Sequence, residues 1–219
     1  MGVGVGVSAG GVVNEGGVLM TDHAASSFPD AIVLAGGAGR RLGGVDKAAL
    51  AVGGKSLLDR VLAAVEESPV VVVVGPPRLA ARSVLFTSEH PAGGGPAAAL
   101  AAGLPMVTGD FVAVLAADLP FVTADIVRHL AAQIGSRSGA LVVDGDGNDQ
   151  LLVGVWRIAS LRDAVSAAGP LANRGLHNML GRLNPVRVVL PPLQPGMIEP
   201  QAWWDCDTPA DVRRAEEYT

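Results

Sequence analysis

The sequence predicts a single α/β domain in which helices cover both faces of an open, mostly parallel β-sheet. Its 219 residues are enough for one domain of this kind and leave little room for a second. Short apolar runs alternate with helical patterns over the first 130 residues, which is typical of parallel strands connected by helices. The runs are rich in Val, Ala and Leu, as expected for strands buried on both faces.

Four apolar runs predict the strands of the first half, at 31–35, 70–74, 84–87 and 111–116. Helices are predicted between them. The first begins at Ser56, which forms a capping-box-like start with Asp59 three residues later. Another follows Pro96, and a third begins near Thr123.

The second half continues the pattern less regularly. Strands are predicted at 141–143 and 151–156, on either side of the polar turn DGDGNDQ, and at 186–190. Helices are predicted from about Leu161 and from about Arg174. The last helix begins with Thr208 as N-cap, Pro209 at the first position and Asp211 at the third.

Composition limits the classes of partner. The net charge of −5 argues against a general nucleic-acid binder, which would carry a basic surface. The longest apolar runs, such as 70–75, are too short to span a bilayer, so no membrane partner is expected. The single cysteine, Cys206, lies between Asp205 and Asp207, whose negative charge disfavours a thiolate; we interpret it as a packing residue. A chain without internal disulfides is expected in the cytoplasm.

The first residues predict a flexible tail. They alternate Gly and Val without the basic start of a signal peptide, and a second methionine, Met20, opens a more ordinary approach to the first strand. We expect residues 1–19 to lie outside the fold. The predicted division is a flexible tail at 1–28 and one domain at 29–219.

The strongest functional signal is the segment LAGGAGRRLGGVDK at 34–47. Its glycines let backbone amides surround an anion, while Arg40, Arg41 and Lys47 supply positive charge. A plain Gly-rich turn with surface cations is the alternative. The segment is no P-loop, because Ala48 follows Lys47 where Ser or Thr is required. A dinucleotide fingerprint of a dehydrogenase is disfavoured, since Leu42 replaces the third glycine and no acid follows the next strand.

This segment resembles the LAGGxxxRxGxxK signature of nucleotidyltransferases that activate sugars, pterins and related phosphates. Its GG-x-DK ending is most similar to the molybdenum-cofactor guanylyltransferase family. The resemblance implies a three-layer, Rossmann-like fold of the nucleotide-diphospho-sugar transferase type. It places Lys47 and Arg40 on the phosphates of the nucleotide as catalytic residues, together with Asp118.

Two further motifs follow in the family's order. EHPAGGGPAAALAAG at 89–103 resembles the loop that helps to hold guanine and ribose, with Glu89 where the family usually has Asp. Asp118-Leu119-Pro120 resembles the DxP that follows a central strand, where a carboxylate is a hard oxygen ligand for Mg²⁺. The alternatives are a Gly/Pro linker and an Asp that caps the next helix. The implied nucleotide-binding residues are Leu34, Ala35, Gly36, Gly37, Gly39, Lys47, Glu89, Gly95, Pro96 and Asp118.

Two motifs depart from the family pattern. QLLVGVW at 150–156 resembles QPLxGxY, which implies a strand on the acceptor side, although a strand edge without a ligand is the alternative. WDCDTP at 204–209 resembles N-x-N-T-P, with Asp205 and Asp207 in place of both Asn residues. An ionised carboxylate only accepts hydrogen bonds, whereas an amide also donates. The two acids either help to hold metal, contact the acceptor differently, or lie at the last helix because its dipole favours them. Asp118 and Asp207 are the predicted metal ligands.

The resemblance implies Mg²⁺-assisted transfer of GMP from GTP to molybdopterin-bound molybdenum, giving the guanine dinucleotide cofactor and pyrophosphate. The small-molecule partners are then GTP and Mo-molybdopterin, with transient contact to molybdoenzyme-maturation proteins. Transfer from CTP to the same acceptor, and transfer to a sugar phosphate or to phospholactate, are alternatives within the class. A carrier that binds nucleotide or finished cofactor without catalysis is the alternative from another class.

Overall fold

The computed structural model describes residues 28–36, 46–190 and 201–219. Strands of the main sheet are β1 (Asp30–Leu34), β4 (Val71–Val74), β5 (Leu85–Thr87), β6 (Phe111–Ala116), β7 (Gly139–Val143), β8 (Asp149–Arg157) and β9 (Val186–Val188). A separate hairpin consists of β2 (Ala51–Val52) and β3 (Lys55–Ser56). The helices are α1 (Leu57–Ala64), α2 (Pro96–Gly103), α3 (Ala124–Gln133), α4 (Ile158–Ala168), α5 (Leu176–Leu180) and α6 (Pro209–Glu216).

The main sheet has the order β5-β4-β1-β6-β8-β7-β9. Strands β5, β4, β1 and β6 run parallel, β8 runs antiparallel to both β6 and β7, and β9 is parallel to β7. The predicted mostly parallel sheet is confirmed. The chain builds outward from β1 through β4 to β5 and then crosses to β6 on the other side of β1. Ligands of open α/β sheets bind at the carboxyl ends of the strands where such a reversal occurs.

Helices cover both faces of the sheet, which confirms the three-layer prediction. On one face, alternate residues such as Val33, Val73 and Leu115 pack against α1 and α3. On the other face, Ile32 and Val114 lie in a second cluster with α2, α4 and α5. Residues of one strand thus belong to two separate hydrophobic cores, because successive side chains point to opposite faces of the sheet. This double burial explains why the central strands β4 and β6 are apolar at every position.

Local side-chain chemistry sets several helix starts. The hydroxyl of Ser56 accepts a hydrogen bond from the amide of Asp59 at 3.0 Å, and Thr123 caps α3 in the same way. Thr208 and Asp211 form a complete capping box at α6. The helix predicted near Leu161 begins earlier, at Ile158, because β8 runs directly into it. The helix predicted from about Arg174 begins slightly later, at Leu176, after Gly175 as its N-cap.

The β2–β3 hairpin was not predicted as strand. Its turn consists of Gly53 and Gly54, with φ of 58° and 72°, values that favour glycine. This hairpin separates the Gly-rich segment from α1, in agreement with the prediction that the first helix begins only at Ser56. The hairpin also contacts α6, where a carboxylate oxygen of Glu216 accepts a hydrogen bond from Gly53 at 3.0 Å.

At the amino-terminal end of the described chain, Phe28 packs against the core, and the guanidinium of Arg128 lies 5.7 Å from its ring centre. Phe28 therefore contacts the domain although the sequence prediction placed it in the tail. Among the described residues, none of the helices has both the length and the hydropathy needed to cross a membrane.

Candidate active site

The candidate site lies at the carboxyl ends of β1 and β6, where the strand order reverses. Lys47 belongs to a short 3-10 turn, Lys47–Ala49, that follows the Gly-rich segment. Asp118 follows the end of β6 by two residues. The two strand ends are joined directly, because the amide of Ala117 donates to the carbonyl of Leu34 at 3.0 Å. Two of the three predicted catalytic residues, Lys47 and Asp118, thus lie at the position that the topology favours for a ligand, and the third, Arg40, lies outside the described residues.

The ammonium of Lys47 contacts two carboxylates. Its Nζ lies 3.3 Å from Oδ2 of Asp118 and also donates to Oδ1 of Asp207. The three side chains are part-buried, with 25%, 20% and 31% of their surface exposed. Desolvation acts to lower the pKa of Lys47, but the hydrogen bond to Asp207 and the charges of both acids outweigh it and raise the pKa. Lys47 is therefore a permanent cation at neutral pH.

Three carboxylates converge beside Lys47. Asp118, Asp205 and Asp207 each offer an oxygen within 4.8 Å of the others. Partial desolvation raises the pKa of Asp205, and the nearby charges of Asp207 and Asp118 raise it further. Carboxylate oxygens are the ligands that Mg²⁺ prefers, so this donor set fits a divalent cation. The predicted ligands Asp118 and Asp207 thus lie together, and Asp205 joins them.

Backbone contacts hold the 205–207 segment against β6. The amide of Cys206 donates to the carbonyl of Asp118 at 3.1 Å, which fixes the two acids on either side of Cys206 next to Asp118. Cys206 itself is fully buried among Val52, Leu57 and Phe121. Desolvation, followed by the charges of Asp211, Asp118 and Asp205, raises the pKa of its thiol to about 12. The interpretation of Cys206 as a packing residue is confirmed.

Aromatic residues support this segment from outside. Phe121, just beyond Asp118, stacks on Trp204 with ring centres 5.7 Å apart. Tyr218 lies edge-on to both rings, at 6.3 Å and 6.1 Å. The guanidinium of Arg214 lies 4.8 Å from the centre of the Trp204 ring. Such contacts stabilise by about 0.5–1.5 kcal/mol each beyond the area they bury, and they orient the acids next to Trp204.

The predicted base and ribose loop lies next to the end of β1. A Cβ atom on Gly36 would lie 3.8 Å from both carboxylate oxygens of Glu89. The same carboxylate accepts a hydrogen bond from the amide of Gly93 at 3.1 Å. Gly95, with φ of 88°, precedes α2, and Pro96 is its first residue. Gly36, Glu89 and the start of α2 therefore line one side of the strand ends.

Of the remaining residues predicted to bind nucleotide, some lie within the described part of the chain and some outside it. Leu34 and Ala35 are buried at the end of β1, and the amide of Ala35 donates to the carbonyl of Val74 at 2.8 Å. Their side chains pack inward, so only their backbone faces the strand ends. Gly37, Gly39 and Arg40 lie outside the described residues, and their assignment stays a prediction.

A pocket of about 370 Å³ adjoins the acid cluster. It is lined by Gln150, Gln201, Trp203, Trp204, Asp205 and Arg214. Gln150 begins the QLLVGVW motif, and its amide donates to Oδ2 of Asp144 at 2.8 Å. The pocket combines indole surface with amide and charged groups, a combination that suits a planar polar ligand.

Sequence reasoning missed several residues of this region. Trp203 and Arg214 flank the WDCDTP motif in the sequence but belong to none of its positions, and only the folded chain brings them together with Gln150 of β8 at the pocket. Arg78 was missed as well. It follows β4, donates to Ala35 and Asp46 on either side of the Gly-rich segment, and occurs in a loop without a recognisable pattern. Nothing in the local sequence marks these residues.

Comparison with known proteins identifies the family of the chain. The model of the MobA-like NTP transferase domain matches residues 31–187. A molybdenum cofactor guanylyltransferase of Acidiphilium cryptum (strain JF-5) is 45% identical over 80 residues. That match covers 34% of this chain and 40% of the length of the curated relative.

Solved structures share the fold. Molybdopterin-guanine dinucleotide biosynthesis protein A of Archaeoglobus fulgidus has a TM-score of 0.66 and 22% identity, over 86% of this chain and 97% of its own. 2-C-methyl-D-erythritol 4-phosphate cytidylyltransferase of Thermus thermophilus has a TM-score of 0.64 and 20% identity, over 87% and 98%. The predicted nucleotide-diphospho-sugar transferase type of fold is confirmed. Since the family model spans well over half of the chain, the protein belongs to the MobA-like NTP transferase domain family and is a nucleotidyltransferase.

Proposed function

We propose that this nucleotidyltransferase transfers GMP from GTP to molybdopterin-bound molybdenum, with release of pyrophosphate. The observation that carries the proposal is the convergence of Lys47 with three carboxylates at the carboxyl ends of β1 and β6. The choice of GTP and of this acceptor rests on the name of the Acidiphilium cryptum relative, which matches a third of the chain, and on the sequence motifs.

Asp118 and Asp207 are the proposed ligands of Mg²⁺, and Asp205 completes the acidic set. When bound, the ion would neutralise charge that develops on the phosphates of the nucleotide and on the leaving pyrophosphate. The amide of Cys206 keeps Asp205 and Asp207 in place through its bond to the carbonyl of Asp118. The chain thereby supplies a preorganised oxygen cluster and does not have to assemble one during the reaction.

Lys47 is the proposed partner of the triphosphate. Its ammonium lies beside the acids and is charged at neutral pH, so it can attract phosphate oxygens as a point charge. Gly36 supplies backbone that ligand oxygens can approach closely, and Glu89 lies next to it as an acceptor for base or ribose N–H and O–H groups. Arg40, Gly37 and Gly39 complete the proposed phosphate contacts from the sequence motif.

The pocket beside Asp205 is the proposed acceptor site. Trp203 and Trp204 provide apolar surface for a fused ring system, and Gln150 offers an oriented amide. The terminal phosphate of the acceptor is itself a competent nucleophile near pH 7, so the reaction needs no nucleophilic side chain. Catalysis then consists of positioning the two substrates and stabilising charge.

Transfer of CMP from CTP is the second candidate, because the structural neighbours include cytidylyltransferases of similar TM-score. The two candidates share the acid cluster and Lys47 and differ only at the base. We therefore propose that the loop with Glu89 and Gly95 distinguishes GTP from CTP. The phosphates are the same in both nucleotides and cannot contribute to this choice.

The test is pyrophosphate release with Mg²⁺ and Mo-molybdopterin, using GTP, CTP, ATP and UTP in separate reactions and in pairwise competition. Selective use of GTP is the expected result. Selective use of CTP would replace the guanylyl assignment by the cytidylyl one. Release only with a sugar phosphate or phospholactate as acceptor would overturn the acceptor assignment. Binding of nucleotide without release under any condition would indicate a carrier.

A further inference from the structure

Arg78 occupies an unusual place for a loop arginine. It follows β4 by four residues, and only 11% of its side-chain surface is exposed. Its three side-chain nitrogens all donate to protein acceptors: Nε to the carbonyl of Pro76 at 3.1 Å, Nη1 to Oδ1 of Asp46 at 2.8 Å, and Nη2 to the carbonyl of Ala35 at 3.2 Å. The guanidinium therefore links three separate positions of the chain by hydrogen bonds.

Two of the acceptors, Ala35 and Asp46, lie directly beside residues of the candidate site. Ala35 directly follows β1 and precedes Gly36, which lies beside Glu89. Asp46 directly precedes Lys47. Ala35 and Asp46 are eleven positions apart in the sequence, and the planar fork of one guanidinium binds both. Arg78 thus fixes where the chain leaves β1 relative to where it begins the turn with Lys47.

Asp46 carries this contact forward to Lys47. The oxygen of Asp46 that accepts from Arg78 also accepts from the amide of Ala48 at 3.2 Å and caps the 3-10 turn. The carbonyl of Asp46 accepts from Ala49 at 3.1 Å, and that of Lys47 from Leu50 at 3.0 Å. A charge-assisted hydrogen bond therefore orients the cap, and the cap orients the turn that presents Lys47.

We propose that Arg78 is a positioning residue that sets the Lys47 ammonium through Asp46. The consequence for substrate rests on the proposed role of Lys47 in binding the nucleotide phosphates. Arg78 itself is not assigned to substrate, because each of its three side-chain nitrogens donates to a protein acceptor, at Pro76, Asp46 and Ala35. Its loss lets the Lys47 turn sample other orientations, and the phosphates then bind less well.

The first test needs no substrate. Amide hydrogen exchange over residues 46–50 is compared among wild type, Arg78→Gln, Arg78→Lys and Arg82→Gln. Arg82 is the matched control, because it lies in the same segment and donates to the carbonyls of Val65 and Ser68 at the end of α1 instead. We expect about tenfold faster exchange in Arg78→Gln and little change in Arg82→Gln. Equal exchange at 46–50 in both variants would overturn the proposal.

The second test separates positioning from general destabilisation. In steady-state turnover, Arg78→Gln should raise KM for the nucleotide about tenfold, while KM for the acceptor stays near the wild-type value. Arg78→Lys should restore little, since an ammonium cannot replace the two-pronged contact. In a Lys47→Ala background, Arg78→Gln should raise KM for the nucleotide little further, because the ammonium that Arg78 positions is absent. Full additivity of the two substitutions would contradict the proposal.

The two tests distinguish the possible failures. If wild type binds none of the four nucleoside triphosphates, the proposed function fails, and exchange over 46–50 still decides whether Arg78 positions the Lys47 turn. If wild type binds nucleotide and Arg78→Gln changes neither exchange nor KM relative to Arg82→Gln, the positioning role fails and the proposed function stands.

Discussion

The ammonium of Lys47 lies 3.3 Å from a carboxylate oxygen of Asp118, although 71 positions separate the two residues in the sequence. Each follows a different parallel strand, β1 or β6, and these strands are direct neighbours in the sheet. The contact therefore crosses the point where the strand order reverses. Lys47 and Asp118 can therefore act on the same triphosphate. The carboxylate of Asp118 would hold the metal ion, and the ammonium of Lys47 would contact the phosphate oxygens.

Replacing Asp118 tests the metal role. Asp118→Asn keeps the shape of the side chain but removes the negative charge that a divalent cation needs. We expect turnover to fall about 100-fold or more, with the melting temperature close to that of wild type. Asp125→Asn is the control, since Asp125 is an exposed acid at the start of α3. Wild-type turnover in Asp118→Asn would remove Asp118 from the metal site.

Replacing Lys47 tests the phosphate contact. Lys47→Ala removes the cation between Asp118 and Asp207 and leaves their negative charges to repel the nucleotide. Affinity for GTP, measured by calorimetry, should fall about tenfold or more. Lys55→Ala serves as control, because Lys55 is an exposed residue of the β2–β3 hairpin. Equal affinity in wild type and Lys47→Ala would refute the phosphate contact.

The acid cluster predicts a pH-dependent effect on stability. The pKa of Asp205 is raised above its ordinary value of 3.8 in the folded protein, so its ionisation opposes folding above that pH. Asp205→Asn should therefore raise the melting temperature at pH 7 without divalent cations, by about 1–3 °C. Well below pH 3.8 both states carry a protonated Asp205, and the difference should vanish.

The control for this experiment is Asp146→Asn, which neutralises an exposed acid in the polar turn between β7 and β8. It should show no comparable gain at pH 7. A lower melting temperature of Asp205→Asn at pH 7, or a gain that persists unchanged well below pH 3.8, would contradict a destabilising charge at Asp205.

Gln150 tests the acceptor pocket. Its side-chain amide lines the pocket and is oriented by Asp144. Gln150→Ala should raise KM for the acceptor several-fold and leave KM for GTP unchanged. Asn148→Ala is matched to it, since Asn148 donates to the same Asp144 carboxylate, at 3.1 Å, but does not line the pocket. Similar kinetics of the two variants, or a change in KM for GTP alone, would remove Gln150 from the acceptor site.

The sequence predicted the parts of the fold that depend on local patterns. Strand β6 has the predicted bounds, 111–116, because a run that is buried on both faces is apolar throughout. The caps at Ser56 and Thr208, and a helix start near Thr123, are predicted because a hydroxyl at the N-cap bonds an amide two or three residues away. The position of Asp118 after β6 follows from the same reasoning.

The parts that depend on distant contacts were not predictable in this way. The antiparallel placement of β8 between β6 and β7 is a choice among sheet orders that local patterns do not encode. The approach of Asp205 to Asp118 depends on a backbone bond between Cys206 and Asp118. Arg78 binds Ala35 across 43 positions from a loop whose residues have no distinctive spacing. Each of these required the folded chain.

The most direct test is to quantify both products, pyrophosphate and the guanine dinucleotide cofactor, in reactions with GTP, Mg²⁺ and Mo-molybdopterin. We predict one pyrophosphate per molecule of guanine dinucleotide cofactor, no release without the acceptor, and loss of both products in Asp118→Asn. Nucleotide binding without pyrophosphate release, or equal release by wild type and Asp118→Asn, would contradict the assignment of Lys47 and the acid cluster as the centre of nucleotidyl transfer.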